Sequence, residues 1–245
     1  MTLSVSGGCP SNLSGPKFNW PIVSLLLFMC AVPALPAIYL LSVIVLGAPA
    51  DGQVHPFVPM HYFVKPIPIL VHGVAGILFF LTVPFQFSPV LRLRGGRWHK
   101  ISGRVALSAG YTMALSGLWI MHHPANDMSL PRYIGFFLTS VGMMISFAIA
   151  LYLIIAGNSQ RHRVWMMRAL AITLGGVTAV LAEGLLYLGL GNPDEFLPGM
   201  GAWINDYSRL IGLLANLIIV QWVLMREQVK RAQSAEFSDH ISAAS

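Results

Sequence analysis

Histidines near the ends of long apolar stretches are the residues of this sequence best suited to bind a metal cofactor. His99 and His122 lie 23 positions apart, about 35 Å along one helix, so they cannot share a site. A b-type haem needs two neutral imidazoles, one on each side of the iron, from neighbouring helices. We therefore predict a haem site between His99 and His162 on the side predicted to be cytoplasmic, which we call the inner site. An outer site would pair His72 with His122, although His72 lies deeper in its apolar stretch.

Glycines near two of these histidines are compatible with the same interpretation. Gly76 follows His72 at i+4 and Gly103 follows His99 at i+4, so each glycine shares a helix face with its histidine and leaves room for a flat macrocycle. A structural interpretation stays open, because interfacial histidines are often only solvated and glycines often serve helix packing. The other histidines are expected to be ordinary surface residues: His55, His61, His123 and His240.

A second polar group falls in the last two apolar stretches. Glu183 lies in the fifth, and Asp206 and Arg209 lie at i, i+3 in the sixth, where they can share a helix face. An ionisable group inside a membrane span costs about 2.5–3.5 kcal/mol and usually faces the bundle interior. We expect a buried salt bridge between Glu183 and Arg209 across the two helices. A proton path or polar substrate pocket is the functional alternative.

Arginines flank the inner histidine pair. Arg104 and Arg168 lie about one turn inside their apolar stretches, so they are predicted to hold haem propionates, a lipid or a quinone head group. The sequence has no CxxC, HExxH, GxSxG or phosphate-binding glycine loop, which gives hydrolase, nucleotide, zinc and c-type haem chemistry no support. No catalytic residue is identified; any enzyme activity would be that of a membrane oxidoreductase.

Composition places these residues in a membrane protein. Of the 245 residues, 56% are hydrophobic and 10% are charged, against about 25% charged in soluble domains. A soluble or disordered chain is therefore excluded. The fold class is all-α, an integral membrane bundle of six transmembrane helices, because six stretches reach the roughly 20 residues a span needs. They cover about residues 20–46, 67–87, 101–121, 133–155, 164–190 and 203–225.

The distribution of basic residues predicts the orientation of this bundle. The net charge of +6 comes mainly from Lys and Arg in short gaps between apolar stretches, which indicates membrane topology rather than nucleic-acid binding. Both termini should be cytoplasmic, in the cell inner membrane. The first stretch is longer than the roughly 7–15 residues of a signal-peptide core, so it should be a retained helix. We divide the chain into a polar tail at 1–19, a transmembrane domain at 20–226 and a polar tail at 227–245.

Four short segments of the sequence form a recognisable set: His72–Gly76 leading to Pro84–Gln86, His99–Arg104, His162–Arg168 and Asn216–Leu217. Together they resemble a family of bacterial predicted membrane proteins of unknown function, "domain of unknown function 2306". The resemblance covers about residues 66–226, with departures at Val83, Lys100 and Gln221. The family brings no established activity, and its general layout is similar to that of six-helix b-type cytochromes.

Three functions follow from these observations as hypotheses. The leading one is an electron-transfer protein with b-type haem, whose partners would be the lipid bilayer and a quinone or a membrane redox complex. The second is an accessory or assembly subunit of a larger respiratory or photosynthetic complex, in which the histidines and arginines would be structural. The third is a small transporter that uses the Glu183 and Arg209 region, although the sequence shows no convincing internal repeat.

Overall fold

The computed structural model is all-helical over the residues it describes, which are 19–47, 55, 58–94, 96–123 and 128–244. No β-strand occurs among these residues. The predicted N-terminal tail, except for Asn19, lies outside them. A 3-10 turn, Pro193–Glu195, precedes the last helix. The helices are α1 (Trp20–Leu46), α2 (Met60–Val64), α3 (Ile67–Gln86), α4 (Pro89–Arg94), α5 (Gly96–Met121), α6 (Leu130–Ile155), α7 (Ser159–Leu190) and α8 (Met200–Ala244).

The long helices begin and end where the sequence supplies breaking and capping residues. Proline occupies the first turn of α1, α3 and α6, where its missing N–H would have no helical partner. The Asn158 side chain accepts a hydrogen bond from the Arg161 backbone N–H at 3.0 Å and caps α7. Gly191 ends α7 at φ 74°, a left-handed conformation that glycine adopts without strain.

Five of the long helices form a ring around one apolar core. In order around the ring, α1 packs on α3, α3 on α5, α5 on α6, α6 on α7, and α7 on α1, while α8 lies outside against α6 and α7. The core centres on Phe79 and Phe147, whose rings meet edge to face with centroids 5.9 Å apart. We call the end with His99, Asn158 and the last turns of α3 and α6 the inner end, and the opposite end the outer end.

Small residues allow a close contact between α7 and α8. A Cβ at Gly175 would lie 2.8 Å from the Leu213 Cα, and one at Gly212 would overlap the Gly175 carbonyl oxygen. Glycine is therefore required at this crossing, as is common between membrane helices that approach through small residues. The crossing fixes the position of α8 on the ring.

Within the described parts of the chain, five helices meet the length and apolarity needed to cross a membrane: α1, α3, α6, α7 and residues 200–237 of α8. Their outward faces carry exposed large apolar residues, such as Leu35 on α1 and Ile218 on α8, each 68% exposed. Water would solvate such faces poorly, whereas acyl chains match them. Helix α5 coincides with the predicted third span and is 26 residues long, but its many small and polar residues leave it outside that group.

Candidate functional site

The inner histidine pair lies on the buried stripes of its two helices. On α5, Ser102 and Ala106 are buried, and His99 precedes them at helical spacing on the same face. On α7, Ala169 and Thr173 are buried, and His162 precedes Ala169 by two turns. Both histidines belong to the first two turns of their helices at the inner end. The sequence-predicted pair therefore shares an end of the bundle and an inward orientation.

The ring of His162 is fixed by a backbone carbonyl. Its Nδ1–H donates to the Ala150 oxygen on α6 at 2.8 Å, and Ala150 is fully buried. Because a carbonyl can only accept, the proton sits on Nδ1 and the lone pair on Nε2. A metal-ligating histidine commonly has this arrangement, with one nitrogen donating to a carbonyl and the other available to the metal.

The helices that carry the inner pair are separated by a third helix. Among the described residues, α5 and α7 do not pack along each other, because α6 lies between them. The side chain nearest Gly103 is Gln86, whose Oε1 would lie 3.3 Å from an added Cβ. Gln86 also donates to the Ser102 oxygen at 2.6 Å. Gly103 thus admits a glutamine that joins α3 to α5.

The outer pair is not brought together. His72 Nδ1 donates to the Met113 carbonyl at 2.9 Å, which lies nine positions, or about 13 Å, before His122 on α5. His122 donates from Nδ1 to the Leu118 carbonyl at 2.7 Å and accepts from the Tyr133 hydroxyl at 3.0 Å. Both nitrogens of His122 are therefore in use, and the two histidines lie at different depths.

The arginines predicted to hold propionates have other surroundings. Arg104 is exposed and lies away from the buried stripe of α5. Arg168 donates to Gln221 Oε1 at 3.1 Å and lies 4.8 Å from the centre of the Trp165 ring. It thus joins α7 to α8 on the side away from α5.

A salt bridge at the inner end was not predicted. Arg163 donates two hydrogen bonds to Glu227, at 2.7 and 2.8 Å, and Arg231 lies 3.8 Å from the same carboxylate. These contacts attach the C-terminal extension of α8, which is the part after Met225, to the start of α7. The sequence did contain a signal for this pair, because Arg163 directly precedes the fifth predicted span and Glu227 closely follows the sixth, with opposite charges. The prediction treated residues 227–245 as a separate polar tail and so missed it.

The outer polar group is only partly assembled. Among the described residues, Arg209 makes no ion pair with Glu183 or Asp206, so the expected salt bridge is absent. Asp206 instead accepts a hydrogen bond from Ser129 at 2.5 Å. The polar stripe continues inward to Asn216, which accepts from the Thr178 hydroxyl at 3.0 Å and donates to the Ala171 carbonyl at 3.2 Å.

Fold and site together define a multi-pass helical membrane protein with inward-facing histidines at one end. Residues 69–223 match the model of the family described as "Predicted membrane protein (DUF2306)". The chain belongs to this family, and the resemblance inferred from its motifs is confirmed. No curated protein and no solved structure matches the chain.

Proposed function

We propose that the protein transfers electrons within the membrane and binds one b-type haem at the inner end, through His99 and His162. The supporting observation is that both histidines lie on buried helix stripes at the same end, with His162 held in the tautomer that leaves Nε2 unprotonated. Two imidazoles are the donors that a b-type haem requires, and because α5 and α7 do not pack along each other, this haem would have to lie across the inner end of α6. A bound haem would supply a one-electron redox centre.

The protein's own part in this chemistry is to hold and orient the two imidazoles. The Ala150 carbonyl sets the ring plane and proton position of His162, and a hydrogen-bonded ligand nitrogen makes the imidazole a stronger donor. The core next to this end is apolar, with Ala106 and Ala150 fully buried. An environment of this kind excludes water and disfavours a change in net charge, which sets the redox potential. A quinone or a membrane redox complex would be the electron partner.

We infer six spans for this bundle, with α5 as the third, both termini in the cytoplasm and the chain in the inner membrane. The support is the cluster of basic residues at the inner end, including Arg97, Lys100 and Arg163, against few at the outer end. Positive residues favour the cytoplasmic side. This orientation would place the proposed haem near the cytoplasmic surface.

The absorption spectrum of the purified protein tests the haem proposal. Protein made in haem-replete cells should show a Soret band that shifts on reduction, with about one haem per chain by pyridine haemochrome assay. His99→Ala and His162→Ala should each abolish the band, because loss of either imidazole leaves the iron with one protein ligand. His240→Ala is the matched control, since His240 is exposed on the C-terminal extension. A colourless, folded wild-type protein would eliminate the proposal.

An accessory subunit of a larger membrane complex is the second candidate, favoured by the extension of α8. This helix continues without a break to Ala244, past the end of the bundle, and carries exposed Val229 and Phe237, which are 56% and 69% exposed. Apolar side chains on a protruding helix suit contact with a partner protein. Blue-native electrophoresis of the endogenous protein should then show a large complex that is lost when the chain is shortened after Arg231.

A further inference from the structure

Arg209 is a cationic side chain held between three helices near the outer end, and no carboxylate of the described residues forms an ion pair with it. Its guanidinium carbon lies 4.2 Å from the centre of the Phe136 ring on α6. One terminal nitrogen would lie 3.4 Å from a Cβ at Gly176 on α7, and the Arg209 Cβ would lie 3.3 Å from one at Gly135. Two glycines therefore make room for the side chain where α6, α7 and α8 meet.

Two described carboxylates, Asp206 and Glu183, lie near this charge without forming an ion pair with it. Asp206, one turn earlier on α8, is held by Ser129. Glu183 attracts the Arg209 charge from a distance, but no ion pair joins the two among the described residues, and there the guanidinium donates to no residue. A cation–π contact stabilises a guanidinium by about 0.5–2 kcal/mol but uses none of its five N–H donors.

A second guanidinium lies on the same side of this site. Arg132 precedes Gly135 and Phe136 by three and four positions on α6, so it shares their helix face. Its Nε is buried, and no hydrogen-bond acceptor for it is found within the described residues. Two arginines from different helices thus have donors that the described protein atoms leave unsatisfied. Unsatisfied polar groups in a membrane cost free energy that a ligand can recover.

We propose that Arg209 and Arg132 bind an oxyanion at the outer end, in the form of a phosphate group. Guanidinium forks match phosphate oxygens in geometry and charge, and such pairs are strong where water is scarce. Two sources share this chemistry: the headgroup of an anionic phospholipid that reaches the site from the bilayer, and free phosphate from the aqueous side. The site lies at the opposite end of the bundle from the proposed haem and does not depend on it.

Lipid retention and thermal stability of the full-length protein test this site. The delipidated protein in neutral detergent would be titrated with phosphatidylglycerol, with phosphatidylcholine and, separately, with inorganic phosphate. Bound lipid is counted by native mass spectrometry, and the melting temperature is recorded in parallel. Arg209→Gln keeps hydrogen-bonding atoms but removes the charge. Arg226→Gln is the matched control, because Arg226 also stacks on an aromatic ring, at 4.3 Å from Trp222, but at the inner end.

We expect the wild-type protein to retain phosphatidylglycerol at least tenfold more tightly than phosphatidylcholine. Arg209→Gln should abolish this preference, and Arg226→Gln should leave it within twofold. Stabilisation by inorganic phosphate that also needs Arg209 would identify free phosphate as the source. If Arg209→Gln fails to fold, Arg132→Gln and Arg209→Lys provide the same comparison. Equal retention of both lipids, with no Arg209-dependent effect of phosphate, would overturn the proposal.

Discussion

Hydrogen bonds from imidazole Nδ1 to backbone carbonyls recur among the histidines of this protein. His72, His122 and His162 each donate in this way, at 2.7 to 2.9 Å. The carbonyl fixes the proton on Nδ1, so Nε2 carries the lone pair and can accept a hydrogen bond or bind a metal. On His122 it accepts from Tyr133, which makes that histidine a structural residue. On His162 the corresponding nitrogen is the proposed ligand atom.

His61 provides a test of histidine chemistry outside the membrane spans. Its ring stacks on His123, with centroids 5.0 Å apart and planes 16° apart, and lies beside Tyr62. Burial, and then the positive charge of His123, lower the pKa of His61 below its ordinary value of 6.5. The folded protein therefore binds this proton more weakly than the unfolded chain does.

We therefore expect stability to fall as the pH drops below about 6.5, the ordinary histidine pKa. Above that pH both states are neutral at His61, so this residue contributes no slope. Melting temperatures between pH 7.5 and 5.0 would measure the effect. His61→Gln should flatten the acid side of the curve, while His240→Gln, at an exposed position, should leave it unchanged. Identical curves for wild type and His61→Gln would contradict the assignment.

Residue types and spacings identified the candidate polar side chains but not their partners, and they did not reveal that Arg104 is exposed. Asp206 and Arg209 both lie on α8. The Ser129 hydroxyl that takes the Asp206 carboxylate is 77 positions away in the chain, so helical spacing could not reveal it. The same holds for Gln86 and Ser102, because their bond depends on the packing of α3 against α5.

At the scale of helices, the apolar stretches of the sequence predicted where the long helices lie better than where they begin and end. The first span coincides with α1 at both ends. Helix α7 begins at Ser159, five positions before the predicted Val164, because Asn158 caps a polar first turn. Helix α8 continues beyond Met225 because Glu227 pairs with Arg163 and so attaches the polar continuation to α7. Hydrophobicity alone marks the membrane-embedded part of a helix, not its polar ends.

The α7–α8 crossing predicts a strong asymmetry between two glycine substitutions. At Gly212, a methyl group would overlap the Gly175 carbonyl and lie 3.1 Å from the Ala179 nitrogen. Backbone atoms cannot move aside cheaply, so Gly212→Ala should reduce the free energy of unfolding by about 1–3 kcal/mol. Unfolding by SDS titration in mixed micelles would measure the loss.

The matched control is Gly184→Ala, at a helical glycine of α7 whose Cβ would meet no atom within 4 Å. There, alanine should be neutral or stabilising by about 0.4–1 kcal/mol, because it restricts the unfolded chain without a clash. If Gly212→Ala unfolded at the same SDS concentration as Gly184→Ala, the helices would not approach as closely as described.

For the whole molecule, the membrane topology depends on α5. This helix is rich in small and polar residues because it packs between α3 and α6, and buried Ser102, Ala109 and Ser116 face those neighbours. A helix packed between other helices can be less apolar than one that faces lipid. This explains why α5 is less apolar than the other long helices.

Two tryptophans of α5, Trp98 and Trp119, are 56% and 59% exposed and lie 21 positions apart. That is about 31 Å of helix, close to the hydrocarbon thickness of about 30 Å.

Because tryptophans favour the two membrane interfaces, we predict that α5 spans the bilayer and that the chain crosses it six times. An even number of spans places both termini on one side, whereas five spans would place them on opposite sides. Full-length fusions to green fluorescent protein, which fluoresces in the cytoplasm, and to alkaline phosphatase, which is active in the periplasm, distinguish the cases. We expect fluorescence and no phosphatase activity from fusions at either terminus. Phosphatase activity at one terminus alone would show that α5 does not cross the bilayer. The ends of the bundle would then not lie on the sides of the membrane that the haem proposal assigns to them.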